Sequence, residues 1–307
     1  MNAIPTLQNL PAQLKLLRAR RNFYAQAMGL MILQLTLTVA APAASGVLAL
    51  FHPEFRPFMS AFALAVTVLD VTFLDRLQRG RLKAAAKIQE KFDCTVLDLD
   101  WDNFTVGPEV DDEDIHAAAA AYTRSGKTDA KLRDWYPIQV GRAPLTFARI
   151  ICQRTNLWYD SKLRRHYGFW ILACAALLVA GLIVAGIAVK LPLDEFFTTV
   201  VPPAAPIFIW SVREFLRQRD TADQLDGIRK EAMALWARAI AGQCQDDECR
   251  AKSREFQNAI FARRSTSPLI FPFVYPLLRD TLEDQMNEGA AARLAEIGII
   301  VNSDGPG

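Results

Sequence analysis

Histidine is almost absent from this chain: His52, His116 and His166 are the only three in 307 residues, and they lie far apart. Isolated imidazoles give no metal-ligand spacing, and no nucleophile stands beside a positioned base. A glycine-rich nucleotide loop is also lacking. Ser125-Gly126-Lys127-Thr128 has the form of the end of one, but Ala121 stands where the first glycine is needed. The segment also follows a helical stretch rather than a strand, so the backbone cradle for a phosphate is missing. Cysteine is sparse and scattered, as Cys94, Cys152, Cys174, Cys244 and Cys249. The last two are close but have no histidine or second cysteine pair, which argues against zinc and for free, reduced thiols facing a cytoplasm. These absences argue against an enzyme, and no catalytic residue, metal or cofactor is assigned.

Charge is balanced overall, with 35 Lys+Arg against 33 Asp+Glu, yet it is missing from four windows. Residues 22–51 carry none, and 27–50 alone make a helix of roughly 36 Å, enough for a hydrocarbon core of about 30 Å. A turn at 51–57 leads to a second apolar run, 58–74, interrupted only by Asp70. Residues 169–189 are again uncharged, 190–195 form a turn, and 196–212 return over roughly 26 Å. That last run carries Pro202, Pro203 and Pro206, so it should be kinked or locally unwound and should face its neighbours. The reading is a mainly α, polytopic membrane protein with four transmembrane helices in two hairpins. Its segments are a cytoplasmic N-terminal piece (1–26), hairpin one (27–74), a cytoplasmic insert (75–168), hairpin two (169–212) and a C-terminal helical region (213–307).

Orientation follows from the flanks. Lys15, Arg18, Arg20 and Arg21 precede the first span, and Arg76, Arg79, Arg81, Lys83 and Lys87 follow the second. Lys162, Arg164 and Arg165 precede the third, and Arg213, Arg217 and Arg219 follow the fourth. Each outer turn has one basic residue, Arg56 or Lys190, so both termini are expected in the cytoplasm of a bacterial inner membrane. Val39-Ala40-Ala41-Pro42-Ala43-Ala44 has the form of a signal-peptidase site, but the apolar run continues well past it, and we read no cleavage.

The cytoplasmic parts read as helical extensions around a small mixed insert. Residues 76–92 continue the second span at helical spacing, and the alternation of Val96-Leu97-Asp98-Leu99-Asp100-Trp101 suits a short strand or extended segment. Asp111-Asp112-Glu113-Asp114 opens an alanine-rich helix, and its carboxylates suit the helix dipole better than a divalent metal. Residues 213–241 form one long helix with a seam of Leu225, Ile228, Ala232, Leu235 and Ala239, which could pack on the 76–92 helix or on another copy. A helix at 254–264, a break at 268–276, an amphipathic helix at 277–297 and a disordered tail complete the chain.

Two kinds of site are candidates. Trp101, Trp135, Tyr136, Arg154, Asn156, Trp158 and Tyr159 mix aromatic and polar groups before the third span. They read either as interfacial anchors or as a pocket in which rings stack on a base and Arg154 meets a phosphate. Asp70, Thr198, Thr199, Pro202, Pro203, Pro206 and Ser211 are candidates for pore lining or gating, being small, polar, ionisable or helix-breaking within spans. For Asp70 the alternative is a reach to headgroup water or a pair with Arg76 or Arg79.

The order of short motifs carries a resemblance. Phe92-Asp93-Cys94 and Leu99-Asp100-Trp101 come first, then Asp134-Trp135-Tyr136-Pro137, then Gln153-Arg154-Thr155-Asn156-Leu157-Trp158-Tyr159-Asp160. Phe256-Gln257-Asn258-Ala259-Ile260-Phe261, Arg263-Arg264, Pro268 and Tyr275 follow. Over nearly the whole chain this resembles the SMODS-associated four-transmembrane effector family, encoded beside the nucleotidyltransferases of bacterial cyclic-oligonucleotide anti-phage systems. The resemblance implies a homo-oligomeric, pore-forming effector that permeabilises the inner membrane when a cyclic nucleotide binds, with the lipid bilayer as partner and no role for DNA or RNA. A non-conducting membrane scaffold for a cytoplasmic partner is the alternative, and a small transporter is the weakest reading.

Overall fold

The computed structural model describes residues 1–41, 44, 56–190, 192–199, 201–271 and 274–300. The first outer turn, apart from residues 56 and 57, part of the 39–44 motif and the tail from Val301 lie outside the described residues. Among the described residues ten α-helices follow one another: α1 (Ile4–Leu7), α2 (Pro11–Leu35), α3 (Arg56–Leu69), α4 (Asp75–Leu97), α5 (Asp112–Arg124), α6 (Leu145–Ala188), α7 (Leu193–Thr199), α8 (Val201–Ile240), α9 (Asp246–Thr266) and α10 (Val274–Glu296). Among the described residues there is no strand.

The N-terminal half of α2 is part of a core rather than a free leader. Leu14, Leu16, Leu17, Ala19 and Phe23 are buried against α4 and α5, while Ile32 and Leu33 farther along are exposed. At Thr36–Ala40 the helix widens to π geometry, and the same happens at Asp70–Leu74 between α3 and α4. The second of these segments joins α3 to α4 in one continuous rod, a placement where π-helical turns often mark functional positions.

Helix α6 runs 44 residues, about 66 Å, and changes character midway. Its first half buries Ala148, Ile150, Ile151, Cys152, Leu157 and Leu163. From Phe169 onward it exposes Phe169, Trp170, Leu177, Val184 and Ile187, the last by 72%. A helix that leaves a packed core and then bares large apolar groups has no water-compatible surroundings over that length. By length and composition, Pro11–Ala40 and Leu145–Ala188 are the helices among the described residues apolar enough to cross a membrane.

Helix α8 lies along α6. Arg165 bridges Asp223 and Asp226 at 2.6 and 2.8 Å, and Leu157 of α6 meets Leu225 of α8 and Ile260 of α9. The expected seam is thus buried against α6 and α9; the 76–92 helix is packed instead against α2 and α9. Pro202 and Pro203 fall in the first turn of α8, where no intrahelical donor is needed, and Pro206 is the one proline farther inside. α7 and α8 lie on either side of Val200, which is outside the described residues.

Two other expectations are corrected. The extended segment at 96–101 is the last turn of α4 and a bend. Asp98 adopts the left-handed conformation (φ 52°), Leu99 N–H donates to the Cys94 carbonyl at 2.9 Å, and Arg149 donates to the carbonyls of Leu97 and Asp98 at 2.7 and 3.1 Å. Alternation misled because Val96, Leu97 and Leu99 reach the core from a helix end and a turn. Cys244 and Cys249 are bonded to each other, not free. The Cα atoms of the two cysteines are 6.0 Å apart, Cys244 in the α8–α9 connection and Cys249 in the first turn of α9.

Truncating Leu157, which is 1% exposed where α6, α8 and α9 converge, should cost roughly 2–5 kcal/mol. Thermal unfolding of Leu157→Ala in detergent, followed by circular dichroism, checks this. An unchanged midpoint would mean that the three helices are not packed there.

Candidate functional site

Glu90 and Asp93 sit one turn apart on α4, each with no solvent exposure. Buried carboxylates need several donors or a cationic partner, and both are supplied here. Asp93 Oδ1 accepts from the Tyr136 hydroxyl and from Gln89 Nε2, each at 2.8 Å. Its Oδ2 accepts from Gln257 Nε2 at 3.0 Å and from Arg264. Glu90 accepts from Arg254 through Oε1 and from Gln257 through Oε2 at 2.9 Å. Gln257 in turn accepts from Gln153 of α6 at 3.2 Å, and Gln153 also donates to the Ser253 carbonyl at 2.7 Å. Three long helices, α4, α6 and α9, are thereby joined through one dry polar cluster.

The electrostatics follow from burial. Lack of water pushes the Glu90 carboxyl upward; Arg254 opposes this and neighbouring Asp93 adds to it. The Cys94 thiol is pushed up to about 12, first by burial and then by Glu90, so it is no nucleophile at neutral pH. Tyr136 is raised well above its ordinary value by burial and by Asp93, which keeps its hydroxyl a donor.

The expected aromatic residues do not share one pocket. Tyr136 is interior: Gln8 holds its backbone N–H and carbonyl at 2.7 and 3.1 Å, and Asn156 donates to its hydroxyl at 3.1 Å. Phe92 lies between Tyr136, with near-parallel rings 6.4 Å apart, and Trp135, edge-on at 6.5 Å. The Arg20 guanidinium covers the other side of Trp135 at 4.6 Å. Trp101 packs against the main core and also beside Ala86, Val106 and Phe261, and donates to the Gly107 carbonyl at 3.0 Å. A cavity of about 420 Å³ adjoins it, lined also by Lys91, Asp98 and Glu109. Trp158 and Tyr159 are half-buried on α6. Arg154 faces the C-terminal helix, its guanidinium against Gly289.

Asp70 meets neither Arg76 nor Arg79. It accepts from Gln34 Nε2 at 2.7 Å, linking the first two apolar helices next to both π-helical segments, while Arg79 pairs with Asp75. Ser211 is buried and its hydroxyl returns to the Ile207 carbonyl at 2.8 Å. Pro206 lies inside α8. Thr198, Thr199, Pro202 and Pro203 are placed by their backbones alone, at the end of α7 and the start of α8. A cavity of about 550 Å³ lies between Phe23, Phe73, Leu77, Arg76, Arg81 and Asp114.

Sequence reasoning missed Glu90, Arg254, Arg264, Gln153 and Gln257 as a unit. The signal was present, since Asp93, Tyr136, Gln153, Asn156, Gln257 and Arg264 all fall within the motifs that carry the family resemblance. At the acidic start of α5, Asp111 makes no side-chain cap; Asp112, Glu113 and Asp114 occupy the first turn, and Lys91 holds Glu109 and Asp112 at 2.7 and 3.3 Å.

Comparison with known proteins adds a family. A family model described as a SMODS-associating 4TM effector domain matches residues 2–293. A protein of Bacillus cereus (strain VD146) named "Probable CBASS effector molecule" is 22% identical over 283 residues, covering 91% of this chain and 93% of that protein. No solved structure matches.

The cluster predicts a pH dependence. Folded Glu90 holds its proton more tightly than the unfolded chain does. Its contribution is therefore complete at acid pH and declines as pH rises through the raised value. Glu90→Gln should flatten that decline in a melting-temperature profile, and Tyr136→Phe should lose roughly 1–3 kcal/mol by depriving Asp93 of a donor. Identical profiles for Glu90→Gln and the parent chain would show that Glu90 is not desolvated.

Proposed function

Because the chain belongs to the SMODS-associating 4TM effector domain family, we propose that it is a pore-forming effector of bacterial anti-phage defence, opened by a cyclic nucleotide. The nucleotide is made by a partner nucleotidyltransferase and reaches the cytoplasmic part, and the cell's own inner membrane is then permeabilised. The observation that carries this reading is the pair of helices Leu145–Ala188 and Val201–Ile240, about 66 and 60 Å long. Each has one end in the polar and apolar core and the other bare of partners for its apolar side chains. A ligand that repacks the core would move both rods, provided it binds the open and closed assemblies with different affinity.

In this reading there are four spans, in two hairpins, with both termini cytoplasmic. The first hairpin is built from α2 and α3 and the second from α6 with α7 and α8. Exposed Phe58, Leu64 and Phe73 on the second span, and Phe208 and Ile209 on the fourth, support lipid contact there as well. Several copies assemble around the pore in this reading. The Gln34–Asp70 bond and the adjoining π-helical turns offer a place where the first hairpin rearranges. Thr198, Thr199, Pro202, Pro203, Pro206 and Ser211 are the residues of the second hairpin proposed to face the pore. Among the ligand-binding candidates, Arg154 and Trp158 on α6 remain the best placed, since Tyr136 and Asn156 are consumed in the interior network.

Liposomes loaded with a fluorescent dye and carrying the purified chain should leak when a panel of cyclic di- and trinucleotides is added. Co-expression with the cognate nucleotidyltransferase should depolarise cells. Absence of leakage with every cyclic nucleotide, together with capture of a stoichiometric cytoplasmic partner, would favour the scaffold instead.

A further inference from the structure

Arg154 occupies an electrostatically uncomfortable place. It lies on α6 in the cytoplasmic region, half-buried, and its Nε has no hydrogen-bond partner. A Cβ added at Gly289 of α10 would stand 3.0 Å from its Nη1, so the absence of a side chain there makes room for the guanidinium. Burial lowers its affinity for a proton, Arg293 of α10 and Arg229 of α8 lower it further, and Glu296 alone opposes them. The carboxylates that face these arginines are already engaged. Glu296 accepts from Arg293 and from Trp236 Nε1, both at 2.7 Å, and Asp226 is shared between Arg229 at 3.1 Å and Arg165 at 2.8 Å. Arg154 forms no ion pair among the described residues, and Arg293 Nε is likewise buried without a partner.

Arg154, Arg229 and Arg293 come from three helices, and Arg154 and Arg293 each keep a buried Nε with no hydrogen-bond partner, a constellation that an anion completes. We propose that Arg154, Arg229 and Arg293 form a binding site for the phosphate groups of a soluble anion, at the junction of α6, α8 and α10. The planar fork of each guanidinium matches phosphate oxygens in pairs. Depth along the rods distinguishes the source of the phosphate. Arg154 stands 15 residues before Phe169, about 22 Å from the start of the apolar stretch, and Arg229 stands 17 residues after Val212, about 25 Å away. Lipid headgroups do not reach that far, so the ligand comes from solution. Trp158 is one helical turn along α6 from Arg154 and shares its face, giving a ring against which a base can stack. Assigning a cyclic nucleotide as the natural ligand rests on the effector function proposed above; the anion chemistry rests on the arginines alone. Occupation would draw together the stems of the third and fourth spans and the C-terminal helix.

The test uses the full chain in phosphatidylcholine nanodiscs, titrated calorimetrically with inorganic pyrophosphate and with cyclic di- and trinucleotides. Each of Arg154→Gln, Arg229→Gln and Arg293→Gln should weaken pyrophosphate binding about tenfold or more, as expected for loss of a charge-assisted hydrogen bond. The melting temperature of unliganded Arg154→Gln should equal or exceed that of the parent, because the change removes an uncompensated charge. Unchanged affinity in all three variants overturns the site, and so does a large fall in the melting temperature of Arg154→Gln, which would mark the cation as structural. Nanodiscs containing phosphatidylglycerol should bind pyrophosphate equally well; abolished binding would make the occupant a lipid and overturn the assignment. Arginine-dependent pyrophosphate binding with no cyclic nucleotide bound supports the site and removes the gating role. Cyclic-nucleotide leakage undiminished in the three variants would show that the nucleotide opens the pore from elsewhere and would overturn its assignment to these arginines.

Discussion

Glu90 and Asp93 have no access to water, and the residues around them supply donors from every direction. Arg254, Gln257 and Arg264 come from α9, Tyr136 from the turn before α6, and Gln89 from α4 itself. A buried pair of this kind contributes little net stability compared with apolar packing, but removing one partner strands a charge at a cost of roughly 3–5 kcal/mol. Its consequence is therefore specificity of assembly. Helices far apart in sequence can come together in one register, because any other register leaves two carboxylates short of donors. Gln153 extends that requirement to α6, the helix that continues into the third apolar span.

The same constraint explains why the segments outside the apolar runs form one body. Buried residues from Ile4 to Leu294 belong to a single contiguous core, so the N-terminal helix, the insert and the C-terminal helices stabilise one another. Gln8 of the N-terminal segment holds the backbone of Tyr136 while the Tyr136 hydroxyl holds Asp93. A chain built this way transmits force well. The buried core grips α6 and α8 over many turns, and those helices run on into stretches that expose large apolar side chains. Rigid stems of this kind suit the role proposed above, in which a signal is received in the core and the action is at the bilayer.

Much of the helical architecture was legible because charge and apolar residues are segregated. The uncharged windows, the continuation of the second span past Arg76 and the long helix after Arg213 all follow from periodicity. The strand expected at 96–101 failed because Arg149, 52 positions away from Leu97, caps a helix end there, and no local pattern encodes that contact. For Asp70 the pattern offered a pore or gating role or, as alternatives, headgroup water or a pair with Arg76 or Arg79; its hydrogen-bond partner is Gln34, 36 residues earlier, which no local pattern indicates. The candidate ligand residues were chosen by chemical type near the third span, which mixed two environments. Tyr136 and Asn156 are interior, whereas Arg154 lies between helices where its neighbours are other arginines. Separating them requires knowing which face of α6 meets α9 and which meets α10, and that is tertiary information. The motifs of the family resemblance held the polar cluster in plain view, yet short polar strings do not state which residues are buried.

The central claim is that the Glu90–Asp93 cluster binds α4, α6 and α9 into one cooperative unit. Hydrogen–deuterium exchange on the full chain in nanodiscs, comparing the parent with Asp93→Asn, tests it most directly. Amides at 85–96, 150–157 and 257–264 should all lose protection by a common factor. Faster exchange confined to 85–96, with the other two stretches unchanged, would contradict the account.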